Sequence, residues 1–278
     1  MKPDLNQIRD VISQALAEDI GSGDVTSEST ISADQILEGR LISKADGIVA
    51  GLQVVRETYK ILNPDIEIHF SVEDGGSVQK GTEIARIQGQ GRALLSGERV
   101  ALNFLQRMSG IATQTRQLVE QIKHTKAKVL DTRKTVPGLR RFDKWAVQLG
   151  GGMNHRFGLF DMVMIKDNHI SAAGGILQAV EMVRRMDKQH RAIEVEVKNL
   201  QELEEVIELN VDRVLLDNMN VEMMQQAVSI TKGRVPLEAS GNINLNTIKE
   251  IAETGVDFIS VGSVTHSVEA LDISFLVE

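Results

Sequence analysis

The chain contains no cysteine, which excludes a disulfide framework, a thiolate zinc site, an iron–sulfur cluster and a cysteine nucleophile. It has no surplus of base: 31 Lys and Arg stand against 39 Asp and Glu, a formal net charge of -8. Broad nucleic-acid binding and adsorption to an anionic membrane both depend on excess cations, so neither is expected, and any anion site must be local. No segment approaches the apolar length of a bilayer span, and residues 1–20 lack the continuous apolar stretch of a signal peptide. A cytoplasmic location is the resulting expectation. With 4 prolines and no low-complexity tract, disorder is not expected either.

What is present is an ordinary globular composition, 42% hydrophobic over 278 residues, enough for one barrel-sized unit and a minor domain. Residues 1–20 read as an amphipathic helix with Leu5, Ile8, Ile12 and Leu16 on one side. Residues 36–91 alternate short β-rich runs (39–42, 66–72, 83–87) with turns such as Asp74-Gly75-Gly76 and Lys80-Gly81, the texture of a small sheet domain. A long helical pattern then covers residues 92–123, with Leu95, Leu102, Leu105, Ile111, Leu118 and Ile122 at helical spacings and an interruption at Ser109-Gly110.

Beyond residue 126 short apolar runs (129–130, 162–165, 193–197, 213–216, 236–239, 258–261) are separated by helical stretches (176–186, 200–209, 221–231, 245–253). Repeated strand-then-helix order implies a parallel sheet, and the lack of a nucleotide-type glycine fingerprint favours a barrel over an open sheet. Six strands where a regular barrel has eight make it an irregular, incomplete α/β barrel. The domains expected are 1–108, a smaller α+β domain, and 109–267, the barrel.

Active sites of barrels collect at the C-terminal ends of the strands. Here polar groups follow every run: Asp131, Arg133 and Lys134; Lys166 and Asp167; Glu196; Asp217; Glu238 and Ser240; Gly262. Residues 131–170 hold seven basic side chains (Arg133, Lys134, Arg140, Arg141, Lys144, Arg156, Lys166) against four Asp. A cationic pocket on an acidic chain selects a small, highly charged anion. Arg supplies paired planar donors and Lys a point charge, so the mixture suits several anionic groups. Gly150-Gly151-Gly152 beside Asn154-His155-Arg156 reads as a backbone cradle for an anion. Glu196 and Asp217, at successive strand ends, are hard oxygen ligands suited to Mg²⁺. The turns at 238–242 and 260–263 are rich in small residues and follow consecutive late strands, where barrels often grip a sugar phosphate.

These residues carry a family resemblance. Asp131-Thr132-Arg133-Lys134-Thr135, Pro137-Gly138-Leu139-Arg140, residues 144–147 and 150–154, His155-Arg156 and Ile165-Lys166-Asp167-Asn168-His169-Ile170 closely resemble the core of the quinolinate phosphoribosyltransferases. Glu18-Asp19-Ile20-Gly21, Gly23-Asp24, residues 96–99, Glu194-Val195-Glu196, Leu216-Asp217-Asn218, residues 238–241 and Thr265-His266-Ser267 extend the likeness in order along nearly the whole chain.

The resemblance implies a type II phosphoribosyltransferase: an N-terminal open sandwich, to which residues 268–278 return, beside an irregular α/β barrel, assembled as a homodimer or hexamer. The implied reaction converts quinolinate and phosphoribosyl pyrophosphate to nicotinate mononucleotide, pyrophosphate and CO₂ in NAD synthesis. It implies that Arg99 of a neighbouring subunit joins Thr132, Arg133, Lys134, His155, Arg156 and Lys166 on the pyridine dicarboxylate. Glu196 and Asp217 would serve the ribose pyrophosphate and its Mg²⁺, and Ser240, Gly241, Asn242, Val261, Gly262 and Ser263 its phosphate, with Lys134, Lys166, Glu196 and Asp217 as the catalytic set. No organic cofactor is implied. One departure is Asn242, where some members carry a second glycine.

Plainer readings stand beside these. Arg140, Arg141 and Lys144 suit a solvated helix surface equally well, and His155 could be a packed histidine. Glu196 and Asp217 could cap helices or pair with nearby Lys. His169 and His266 read as supporting groups, His69, His124 and His190 as surface histidines, and Met219, Met223 and Met224 as core packing. Two other functions compete: a Schiff-base aldolase using Lys166, and a silent paralogue that binds phosphosugars or anions.

Overall fold

The structure, a computed structural model, describes residues 5–277. Two compact units emerge, Met1–Arg116 with Thr135–Gly151 and Ser267–Glu278, and Gln117–Lys134 with Gly152–His266. The 108/109 boundary read from sequence falls inside a single helix. Among the described residues no helix is long and apolar enough to cross a membrane.

The first unit opens with α1 (Leu5–Ile20), which buries Ile8, Ile12 and Leu16; residues 1–4 of the expected helix lie outside the described residues. Next come α2 (Val25–Thr30), capped by Asp24 whose Oδ1 accepts the Ser27 N–H at 3.0 Å, β1 (Ile36–Ser43) and β2 (Gly47–Ile48). They are followed by α3 (Leu52–Leu62), β3 (Glu67–Phe70), β4 (Ser77–Val78), β5 (Glu83–Gln90) and α4 (Gly91–Ile122). In β1, alternate residues Gly39, Leu41 and Ser43 are buried, the period of a one-sided sheet.

Two sequence expectations give way here. The 36–91 segment, read as strands and turns, contains α3, an 11-residue helix. Its Val54-Val55 pair and Tyr59 have β-forming side chains, but Leu52, Val55 and Tyr59 recur at helical spacing and all enter the core. Burial of that stripe overrides local propensity. That core joins them to Leu41, Ile87 and Ile273 of the sheet and to Leu94, Ala101 and Leu105 of α4. α4 itself runs unbroken through Ser109-Gly110. Gly110 is small because backbone crosses it: a Cβ there would sit 2.1 Å from the Glu269 carbonyl oxygen. Ser109 Oγ accepts the Ala50 N–H at 3.0 Å, so the pair mediates a close approach and does not end the helix.

β6 (Lys128–Leu130) begins the second unit's sheet, and α5 (Arg140–Leu149) belongs to the first unit. There follow β7 (Val163–Ile165), α6 (Asp167–Ala173), α7 (Ile176–Met186), β8 (Ile193–Val197), α8 (Leu200–Ile207) and β9 (Arg213–Asp217). α9 (Val221–Thr231), β10 (Leu237–Ser240), α10 (Ile248–Glu253), β11 (Phe258–Ser260), α11 (Ser263–His266) and β12 (Ile273–Val277) complete the chain. β12 pairs antiparallel with β1, giving the first unit the sheet order β12-β1-β5-β3.

The second sheet runs β6-β11-β10-β9-β8-β7, with every pairing parallel. It is barrel-like and irregular: the terminal strands β6 and β7 are not paired to one another, and Met153 instead bridges to Leu130 beside β6. All five residues of β8 are buried, as in a parallel strand covered on both faces. Alternation puts Glu194 and Glu196 on one face and Ile193, Val195 and Val197 on the other.

Replacing Gly110 with Ala tests the close approach. Backbone must shift to admit the methyl group, so the variant should lose about 1–3 kcal/mol of stability, read as a lower Tm. An unchanged Tm would show that the crossing is loose.

Candidate active site

Parallel pairing lifts the inward side chains of adjacent strands in step. Glu194 lies opposite Arg213, Leu215 opposite both Glu196 and Glu238, and Asp217 opposite Ser240. The strand ends and the loops after them enclose two cavities, of about 410 Å³ and 490 Å³. Thr132, Lys134, Asp217, Ser240 and Ser260 line both, so the two adjoin.

The first cavity gathers Thr132, Arg133, Lys134, His155, Arg156, Lys166, Glu196 and Asp217. Arg156 is held below its ordinary range by burial and by the neighbouring Arg133 cation. Two guanidinium groups this close repel one another, and an anion between them relieves the repulsion. Lys166 Nζ donates to Glu196 Oε2 at 2.6 Å. Its backbone N–H donates to His169 Nδ1 at 3.0 Å, which makes His169 a cap for α6.

The second cavity is lined by Gly241, Asn242, Gly262, Ser263, Asn218, Asn244 and His266 among others. A Cβ on Gly241 would lie 2.2 Å from Asn218 Oδ1, and its φ is +110°, so glycine is required there on both counts. Asn242 has φ +53°, the left-handed conformation that Asn tolerates nearly as well as Gly. Asn242 therefore adopts this turn without a glycine.

Some expected site residues lie elsewhere. Val261 is 1% exposed and lines neither cavity; its N–H donates to the Leu130 carbonyl at 2.9 Å, joining β11 to β6. Arg99 lies on α4 in the first unit, with its side chain 60% exposed and near Glu98, and is outside both linings. The Gly150–152 cradle is also displaced: a Cβ on Gly150 would meet the Ala112 carbonyl oxygen at 2.5 Å, so this glycine lets the end of α5 pack on α4. Arg140, Arg141 and Lys144 lie on α5 and line neither cavity, and Lys144 is buried. Sequence reading gave no role to Met164, Leu215, Asn218, Ile243 or Asn244, whereas Ser260, expected in a phosphate turn, lines both cavities. Strand alternation from Asp217 back to Leu215 was the one available signal.

His155 is the main revision. Its side chain is 6% exposed, and Nε2 lies 2.9 Å from Glu194 Oε2 and 3.5 Å from Glu238 Oε2, both carboxylates being fully buried. Nδ1 accepts the Arg156 N–H at 2.7 Å. The ring reaches the cavity wall, yet both nitrogens face protein groups. Burial alone would lower its pKa, but Glu194 and Glu238 more than reverse that and raise it to about 9. Burial, aided by Glu238, pushes Glu194 upward, while His155 and Arg213 outweigh burial to bring Glu238 down. The cluster therefore keeps one extra proton at neutral pH.

A pH dependence follows. A group whose folded pKa lies above its unfolded 6.5 contributes stability that is whole below that pH and lost as pH rises through about 9. Tm should fall across this interval, and His155→Gln should flatten the fall. A wild-type Tm that is level or rising there would contradict the arrangement.

Comparison with known proteins agrees with this geometry. The model of the quinolinate phosphoribosyl transferase N-terminal domain matches residues 24–109, and that of the C-terminal domain matches residues 111–276. The chain is 45% identical over 290 aligned residues to quinolinate phosphoribosyltransferase [decarboxylating] 1b of Nicotiana tabacum, covering 98% of this chain and 82% of the relative. It is 42% identical to the probable nicotinate-nucleotide pyrophosphorylase [carboxylating] of Bacillus subtilis, covering 96% and 92% of the two chains. The solved nicotinate-nucleotide pyrophosphorylase of Francisella tularensis superposes with a TM-score of 0.96 at 42% identity, covering 100% of this chain and 98% of that one. Shared along both of its domains, this likeness shows that the chain belongs to the quinolinate phosphoribosyltransferase family.

Proposed function

We propose that the chain joins quinolinate to phosphoribosyl pyrophosphate, releasing pyrophosphate and CO₂ and forming nicotinate mononucleotide. The observation that carries this is the adjacency of the two cavities: a compact one walled by Arg133, Arg156 and Lys166, and a second one built from glycine, serine and asparagine turns. The first suits a planar dicarboxylate and the second a sugar phosphate.

Arg133, Arg156 and Lys166 grip the two carboxylates, and Ser240, Gly241, Asn242, Gly262 and Ser263 surround the 5-phosphate. Lys134 lines both cavities, where it can meet the pyrophosphate. His155 supports Arg156 from beneath. Glu196 and Asp217 end adjacent strands and both line the first cavity. Their hard carboxylate oxygens fit Mg²⁺. Bound there with the pyrophosphate, Mg²⁺ would offset negative charge on the leaving group.

The chemistry needs positioning above all. As the C1–oxygen bond breaks, the ribose gains oxocarbenium character and the electron pair leaves with pyrophosphate. The pyridine nitrogen bonds to C1 and becomes cationic. The adjacent carboxylate departs as CO₂, and the pair left on the ring carbon is stabilised by that nitrogen until a proton replaces it. The cations beside the cavity let two polyanions approach closely enough for the first step. A Schiff-base lysine must be a neutral amine; Lys166 is ion-paired with Glu196, which suits anion binding.

We place Arg99 at a neighbouring subunit's dicarboxylate, in a homodimer or a larger assembly. Its exposure on α4, outside both linings of its own chain, supports that role.

Purified chain with Mg²⁺, phosphoribosyl pyrophosphate and quinolinate should yield pyrophosphate and CO₂ in equal amounts. Arg133→Ala and Lys166→Ala should each lower kcat/KM by about 100-fold or more, the scale of removing a charge-assisted contact of about 3 kcal/mol, with circular dichroism and Tm preserved. Pyrophosphate without CO₂, or unfolding of both variants, would refute the assignment.

A further inference from the structure

The dicarboxylate cavity rests on a buried charged column that the chemistry above does not consume. At its base, Arg213 at the start of β9 stacks over Phe258, 4.1 Å from the ring centroid, and donates from Nη1 to Glu238 Oε2 at 2.9 Å. Glu238 and Glu194, both fully buried, flank His155 Nε2 at 3.5 Å and 2.9 Å. Above them the backbone bearing the anion-facing arginine is pinned at two successive amides. Asp131 Oδ1 accepts the His155 N–H at 2.8 Å, and the His155 ring accepts the Arg156 N–H at 2.7 Å. Arg156 Nη1 donates to the Met162 carbonyl at 3.1 Å, which steadies the far end of the side chain.

A barrel interior is ordinarily filled by layers of branched apolar side chains. Four ionisable groups in their place carry a large desolvation cost and need a reason. The direction of the contacts supplies one: each group touches the next, and the last touches the backbone of Arg156. We propose that Glu238 is a positioning residue, anchored by Arg213, that sets the tilt of the His155 ring and through it the place at which Arg156 meets a dicarboxylate. This rests on the reading that Arg156 grips quinolinate.

Charge and position make opposite demands here, so the sign of one measurement decides. Removing a negative charge beneath an anion cavity tightens anion binding by Coulomb attraction alone. Loosening the support of Arg156 weakens it, and small displacements of a binding group are costly.

Calorimetric titration of quinolinate into the full-length chain reads the sign. Glu238→Gln should weaken binding about tenfold, and the same substitution in an Arg156→Ala background should change it less than about twofold, because the effect is routed through Arg156. Glu238→Asp keeps the charge and withdraws the carboxylate from the His155 ring by one methylene, so it should weaken binding in the same sense by position alone, and it keeps the test open where Glu238→Gln fails to fold. Binding that is unchanged or tighter in the folded variants, or a loss additive with Arg156→Ala, overturns the proposal. If the wild-type chain does not bind quinolinate at all, the functional reading has failed instead, and ¹⁵N spectra of the His155 ring decide separately. An unprotonated Nδ1 in the wild type that changes in Glu238→Gln supports the coupling, whereas identical ring signals in the two proteins refute it.

Discussion

Everything at this site depends on holding several cations closer together than they would settle unaided. Arg133, Lys134, Arg156 and Lys166 line one cavity on a chain whose net charge is -8. The chain meets the resulting repulsion from below. Glu196 pairs with Lys166, Glu194 and Glu238 pair with His155, and Arg213 closes the column. Fixed charges of both signs at short range leave a field that is strong within the cavity and small outside it, which selects compact polyanions over extended ones.

The fold makes this feasible because parallel strands bring side chains from different parts of the chain to one level. Residues 194–196, 213–217 and 238–240 are far apart in sequence, yet their registers stack Glu194 by Arg213, Glu196 and Glu238 about Leu215, and Asp217 by Ser240. Depth along the strand then sorts their roles. The lowest layer, buried Glu194 beside the partly exposed Arg213, supports, the middle layer touches both worlds, and the uppermost layer and its loops meet ligand.

Much of this was legible in the residues themselves. The run Ile193-Glu194-Val195-Glu196-Val197 reads as a strand, and polar groups after successive runs mark the rim, but its alternation of apolar and charged residues gives no sign that both faces are buried. The α3 helix was hidden because Val54, Val55 and Tyr59 favour strands locally, and only burial of the Leu52, Val55 and Tyr59 stripe decides otherwise. Glycines misled for a related reason. Gly110 and Gly150 looked like a helix break and an anion cradle, and both answer to backbone passing within contact distance from distant parts of the sequence. Val261 fell at a strand end but on its buried side, where one residue of register separates wall from interior. His155 lines the cavity, but no one-dimensional pattern shows that two glutamates 39 and 83 residues downstream lie against its ring.

The claim from which the rest follows is that the first cavity recognises two carboxylates at once. Equilibrium titration of the chain with quinolinate and with a pyridine bearing only one carboxylate measures this directly. Each carboxylate lost forfeits charge-assisted hydrogen bonds of about 1.5–3 kcal/mol, so the monocarboxylate should bind at least about tenfold more weakly. Equal affinity for the two would mean that the clustered cations do not act together on one ligand, and the account would be wrong at its centre.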